Sequence, residues 1–308
     1  MPDDQLIHFD DRSITQADRP AWLAQRHLSL GSSDAAVVCG VIGSRLKLWL
    51  EKTQRLPDSE SNEAMRWGLR LEDDIADAWL ERTGIPIVRF QVFCRHPEYP
   101  WMTATIDGLT ADDDIVEFKA AGHFGHGAKL GDDGEIESLP EHWILQSHHQ
   151  MLVTSNARMS FAVFGPGLRL RTFELPFDVE LGAMIVEQER AFWHDHVLAG
   201  IPPVEIVSGD AAYLAQAYDE PDGSWAWLGQ DVLESAVNFE RIGKQIRELE
   251  KEREAHKARL LLALGDSSGA ELPDGWSLER KIIDVKEFTV AARKQVRLFV
   301  KPPKESTE

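Results

Sequence analysis

Cysteine is nearly absent from the 308 residues, with only Cys39 and Cys94 present. Two thiols make no disulfide framework and exclude a four-cysteine iron–sulfur ligand set, so both are read as plain core residues. Long apolar runs are missing as well. No stretch approaches the ~18 residues of a bilayer span, and the opening MPDDQLIHFDDRS is acidic and polar, unlike a secretory signal. The expectation is a cytoplasmic protein with no membrane partner. Basic residues are outnumbered, 33 Lys and Arg against 52 Asp and Glu, for a net charge of −19. Such a balance opposes phosphate binding, but it is uneven. From Trp276 to Lys304 eight basic residues face three acidic ones, a local +5, which leaves −22 on residues 1–275 once Glu305 and Glu308 are set aside.

What is present is a globular composition, 43% hydrophobic, on a chain long enough for one large domain and an extension. The Pro-containing segment Gly200-Ile201-Pro202-Pro203 marks the expected boundary, with one domain over 1–204 and an extension over 205–308. Met1–Arg19 is expected to be an irregular arm.

The most informative stretch runs from Trp101 to Ala121, WMTATIDGLTADDDIVEFKAA. Alternation along a strand puts Ile115, Glu117, Lys119 and Ala121 on one face and Val116, Phe118 and Ala120 on the other. One face is expected to be core and the other to carry chemistry. In the preceding strand Met102, Ala104 and Ile106 form the apolar face, Thr103, Thr105 and Asp107 the opposite one, and Gly108 is expected to permit the turn. Asp107 then lies at a strand end, facing Glu117 and Lys119. Two carboxylates and an ammonium suit phosphodiester hydrolysis, because hard oxygen ligands hold Mg²⁺ and a nearby amine orients or deprotonates water. A solvated surface pair on a half-exposed strand has the same E-x-K pattern.

Other segments add pieces. Ala21–Arg26 is expected to be a short helix, and Ser32 or Ser33 to cap a helix through Asp34 to about Gly40, a start with hydroxyls and free N–H groups suited to phosphate. On the helix from about Glu63 to Thr83, Glu72, Ala76 and Trp79 share one stripe, which aims Glu72 inward. The helix Leu139–Thr154 carries His142, Gln146, Gln150 and Val153 on a stripe more polar than a buried face requires, while His148 and His149 are read as structural. His123 and His126 lack a third close ligand for zinc. In the extension, apolar residues recur at three-four spacing from Asp231 to Leu264, and Trp276–Ile283 with Gln295–Val300 suggest a basic hairpin.

Asp107 followed ten positions later by Glu117-Phe118-Lys119 resembles the D-(x)n-E-x-K signature of the PD-(D/E)XK nuclease superfamily. Arg26, Gly31-Ser32-Ser33-Asp34, Gly68-x-x-x-Glu72 and Gln146, in this order over about Ala21 to Pro203, are similar to its YqaJ-type viral recombinase and lambda-exonuclease branch. The resemblance implies an α/β, restriction-endonuclease-like core: a mixed central sheet flanked by helices, here followed by a long helix and a β-hairpin extension. It implies Mg²⁺, with Mn²⁺ as a substitute, held by Asp107, Glu117, the Phe118 carbonyl and Glu72. Lys119 and Gln146 would prepare the water, and Arg26, Ser32 and Ser33 would contact DNA phosphates. The implied activity is exonucleolytic, 5′ to 3′ on double-stranded DNA ends, leaving 3′ single strands for a phage-type annealing protein. A homo-oligomer is implied too, a trimer by analogy, although the C-terminal extension departs from lambda exonuclease. An endonuclease or flap nuclease shares the signature, and a non-catalytic DNA-binding or assembly protein is the alternative from another class.

Overall fold

Six strands make one mixed sheet, and each connection in it has a local cause. The computed structural model describes residues 6–7, 24–57, 63–120, 129–130, 134–165, 167, 169–220, 222–284 and 300. Most of the expected N-terminal arm, the loop with His123 and His126, and residues 295–299 of the expected second hairpin strand lie outside them. Strands β1 (Leu6–Ile7), β2 (Ile87–Arg95), β3 (Thr103–Thr110) and β4 (Ile115–Ala120) run antiparallel in sequence order. Short turns suffice for such neighbours. The β3–β4 turn closes at Asp113, whose φ of 62° is left-handed, while the Thr110 hydroxyl accepts the Asp112 and Asp114 N–H groups.

The next strand, β7 (Arg158–Gly165), pairs with β4 in parallel and therefore needs a crossover. That crossover includes the small ladder of β5 (Lys129–Leu130) and β6 (Ile136–Ser138) and the helix Glu141–Thr154. β8 (Arg169–Pro176) completes the sheet antiparallel to β7. Further helices among the described residues of this unit include α1 (Ala35–Val38), α2 (Arg45–Lys52), α3 (Glu63–Thr83), α5 (Val179–Ala191) and α6 (Asp210–Ala217), the Glu141–Thr154 helix being α4. Helix α3 stops where Gly84 takes a φ of +73° and its N–H reaches the Leu80 carbonyl.

Both faces of the sheet are covered, so the expectation of one core face and one chemical face is corrected. Met102 just before β3, Ala104 and Ile106 of β3 and Phe161 and Val163 of β7 meet Trp49 and Leu50 of α2, Met151 and Val153 of α4, and Phe192. On the other side Val116 and Phe118 of β4 meet Ile75, Ala76 and Trp79 of α3. Glu117 is buried and Lys119 half-buried on the side of β4 that faces α4.

Gly108 is corrected too. It lies inside β3, opposite Phe90 and Val116, and makes no turn. A Cβ there would stand 2.9 Å from the Phe118 ring and 3.1 Å from Ile87, so the glycine permits close packing.

The first compact unit extends past the expected boundary at 204, to Ala217, because Tyr213, Leu214 and Ala217 of α6 pack on the main core. The second unit, Tyr218–Glu308, is built on α7 (Gln230–Leu264), 35 residues and so about 50 Å long. Within it β10 (Ser277–Glu279) pairs antiparallel with β9 (Gly269–Glu271), while the expected partner strand 295–300 lies almost wholly outside the described residues.

Candidate active site

β3 and β4 pair only through Gly108–Val116 and Leu109–Ile115. Beyond these pairs the ladder gives way to side chains, and the Asp107 carboxylate accepts the Phe118 N–H at 2.9 Å. Within a strand the N–H and C=O of one residue point to the same edge, so the Phe118 carbonyl also faces Asp107.

A second irregularity lies opposite. Phe90 pairs with Gly108 and Val92 with Ile106, which sets Gln91 across from Asp107. Gln91 has a φ of 49°, left-handed and unusual for a non-glycine residue. Around it the alternation of faces inverts: Val92 and Ile106 lie in the main core, whereas Phe90 packs with Phe118 on the α3 side. The Gln91 amide then donates to Glu72 Oε2 at 2.8 Å, tying α3 to the sheet.

Glu117 is 3% exposed and held by three donors. Lys119 Nζ and Gln146 Nε2 both reach Oε1 at 2.6 Å, and Gln150 Nε2 reaches Oε2 at 2.7 Å. Lys119 also donates to Gln146 Oε1 at 3.1 Å and stands 5.5 Å from the centre of the Trp143 ring. Gln146 and Gln150 are one helical turn apart on α4, which explains the polar stripe. The buried Gln150 Oε1 has no partner among the described residues, an arrangement that costs about 1–3 kcal/mol unless something fills it.

The carboxylates act on one another. Burial pushes Glu72 up to about 7, with Glu117 and Asp73 adding to the shift and the Gln91 amide opposing it. Asp107 is raised well above the ordinary range, first by burial, then by Glu117 and Glu72, against Lys119 and the Phe118 N–H. Each carboxylate leans on its own donor, and among the described residues no three His, Cys, Asp or Glu side chains already close on one point. The shared field nevertheless favours a cation, and hard oxygens suit Mg²⁺. The residues present therefore fit such an ion.

Ser32 and Ser33 follow Leu30, which bridges Met102 just before β3, and the Arg26 charge acts on Asp34 one residue beyond Ser33. The expected serine cap is corrected: Gly31 is the cap residue, Ser32–Asp34 form a 3₁₀ turn, and neither serine makes a capping bond. Asp34 Oδ2 instead accepts the Gly31 N–H at 2.9 Å and the Lys52 ammonium at 2.6 Å. Burial alone would raise Asp34, but Lys52 and Arg26 hold it below the usual carboxylate range. The helix that follows has four residues, and the Gly31 N–H is already taken, so the expected set of free N–H donors is reduced.

His148 and His149 have structural partners, as expected. His149 bridges Glu189 at 2.7 Å and the Thr103 carbonyl at 2.8 Å; His148 accepts the Asp178 N–H at 3.0 Å. Burial pushes the Cys39 thiol up to about 11 and the Cys94 thiol to about 12, consistent with unreactive core positions. A cavity of about 250 Å³ lies between Trp79, Ser160 and Thr172 and includes none of the candidate residues.

Gln91 and Gln150 were not singled out from sequence. Gln150 left a signal in the α4 stripe. Gln91 left only its polarity within the apolar run of β2.

A mixed sheet flanked by helices, with clustered carboxylates and a lysine where two strands part, defines the class. Residues 21–157 match the YqaJ-like viral recombinase domain. The uncharacterised protein YqaJ of Bacillus subtilis (strain 168) is 32% identical over 235 residues, 74% of this chain and 70% of that protein. The chain belongs to the YqaJ-like viral recombinase family. Among solved structures, the alkaline exonuclease of Laribacter hongkongensis, crystallised in complex with dAMP, aligns with a TM-score of 0.47 and 22% identity, covering 64% of this chain and 100% of that one. A phage-related exonuclease from Haemophilus somnus 129PT gives a TM-score of 0.44 and 14% identity over 58% of this chain and 99% of that one. No helix among the described residues is long and apolar enough to cross a membrane.

Proposed function

We propose that the chain is a metal-dependent deoxyribonuclease that degrades double-stranded DNA from 5′ ends and leaves 3′ single strands for recombination. The observation that carries this is the gathering of Glu72, Asp107 and Glu117 beside Lys119, where burial and mutual repulsion raise Glu72 and Asp107. Asp107, Glu117 and the Phe118 carbonyl would hold Mg²⁺ or Mn²⁺, with Glu72 joining from α3. The ion supplies charge neutralisation for the phosphate and acidifies water.

The chain's own groups do the rest. Lys119 is the proton-bearing group beside Glu117, and Gln146 accepts from it while donating to the same carboxylate, which fixes the ammonium. Lys119 thereby orients the attacking water as a hydrogen-bond donor. Arg26, Ser32 and Ser33 contact the DNA backbone near the end being cut. Pairing with an annealing protein and assembly as a homo-oligomer are part of the same proposal.

Incubation with Mg²⁺ and DNA labelled at either end tests this directly. The expected result is early release of 5′-terminal nucleotides from linear duplex, loss of activity with chelator, and intact closed circles. Cutting of closed circles would make the enzyme an endonuclease, cleavage confined to branched substrates a flap nuclease, and no cleavage of any substrate would leave a binding protein.

A further inference from the structure

A carboxylate has about four lone-pair positions, two on each oxygen. At Glu117 the Oε1 pair is fully used, by Lys119 and Gln146 at 2.6 Å each, while Oε2 receives only Gln150 at 2.7 Å. The orientation of the Gln150 amide follows from chemistry, because a carboxylate accepts and only the NH₂ end donates. We propose that Gln150 is a positioning residue for the metal site, holding Glu117 so that one lone pair of Oε2 is the free donor to the ion. Glu117 is thereby a one-oxygen ligand rather than a two-oxygen one.

This rests on the metal-dependent function proposed above and adds to it a residue and a binding mode. Gln146 and Gln150 do different things although both are amides on one helix face: Gln146 ties Oε1 to the lysine, and Gln150 leaves Oε2 half free. Gln150 Oε1 is buried without a partner among the described residues, so the amide is engaged through its bond to Glu117. An apolar side chain of the same length would lose that orphaned oxygen and keep the packing.

Mg²⁺ demands nearly ideal octahedral geometry, while Ca²⁺ accepts one or two carboxylate oxygens with looser angles. Loss of Gln150 should therefore weaken Mg²⁺ more than Ca²⁺. Gln150→Met and the shorter amide Gln150→Asn would be compared with the native chain by calorimetric titration of each ion without DNA, with thermal unfolding of the metal-free proteins alongside. The expected result is a rise in the Mg²⁺ Kd of at least ~10-fold, the usual scale for lost support of a ligand. The Ca²⁺ Kd should rise less, and the Gln150→Met midpoint should stay within a few degrees of the native one, the donor lost to Glu117 being offset by loss of the orphaned oxygen. Cleavage should recover to within a few-fold at saturating Mg²⁺. An unchanged Mg²⁺ Kd in either folded variant overturns the inference, as does a lowered midpoint with unchanged ion affinity, which marks a purely structural glutamine. Equal weakening of both ions would overturn the one-oxygen mode. If the native chain binds neither ion, the proposed function fails first and this inference with it.

Discussion

Replacing Glu72 by Gln removes one negative charge from a cluster that holds too many without an ion. In the folded metal-free protein the Glu72 carboxyl is pushed up to about 7 from an ordinary value of 4.5. Between those values the folded state keeps a proton that the unfolded state has released. Stability therefore falls as pH rises through this window and levels off above about 7. Glu72→Gln lacks that penalty, so its metal-free melting midpoint should exceed the native one by about 2–4 °C at pH 8 and by less at pH 5. A gain independent of pH in thermal scans would refute this. Asp107→Asn and Glu117→Gln should abolish cleavage without unfolding the chain, as read by circular dichroism beside an end-label assay. Lys119→Met should keep duplex affinity and slow single-turnover cleavage by ~100-fold or more; a loss of affinity alone would make it a phosphate-binding group. These carboxylates and the lysine were legible in sequence because the pleat assigns faces and D-(x)n-E-x-K fixes their order. Gln91 was not, because its role depends on a left-handed backbone that a glutamine does not announce. Gln150 was visible as excess polarity but had no target until α4 was seen against β4.

At the scale of elements, two glycines make opposite predictions. Gly108→Ala pushes a methyl to 2.9 Å from the Phe118 ring, inside β3 where nothing yields easily. Overpacking of this kind costs about 1–3 kcal/mol, and the displaced Phe118 should also disturb the N–H that holds Asp107. Gly68 lies in α3 with nothing within 4 Å of its missing Cβ among the described residues. Gly68→Ala should therefore gain up to about 1 kcal/mol from helix propensity. Urea unfolding of both variants checks the pair, and a shared sign would contradict the packing described. The succession of strands and helices was readable from periodicity, and the strand after α4 was expected to be reached through the Gln146 helix. The misplaced turn at Gly108 has a clear cause: glycine signals either a turn or a close approach, and only the partner across the gap decides which. The serine cap failed similarly, since Asp34, one residue further on, folds back on Gly31 and takes the donor first.

On the scale of the whole chain, −22 on the first 275 residues sets the field against DNA, and the +5 segment from Trp276 to Lys304 opposes it. Truncation after Leu264 should weaken duplex binding and flatten its dependence on salt, by about one unit of slope for each phosphate the shortened chain no longer neutralises. Single-turnover cleavage should stay within a few-fold. An unchanged salt slope in fluorescence anisotropy, with altered mass in light scattering, would instead assign the segment to a subunit or partner. The exposed seam of α7, with Phe239, Ile242, Ile246 and Leu249 each at least 46% exposed, makes that second outcome a meaningful one to measure. The parallel pairing of β4 with β7 sets a clock for synthesis. β2, β3 and β4 can zip together as they leave the ribosome, but β4 keeps a bare edge until Gly165 has emerged and α4 has swung across. Until then Asp107, Glu117 and Lys119 stand on a strand with an open edge, and Gln146 and Gln150 of α4 are not yet held against it. Fragments that end before β7 should therefore be inert toward DNA and prone to stick to one another through that open edge.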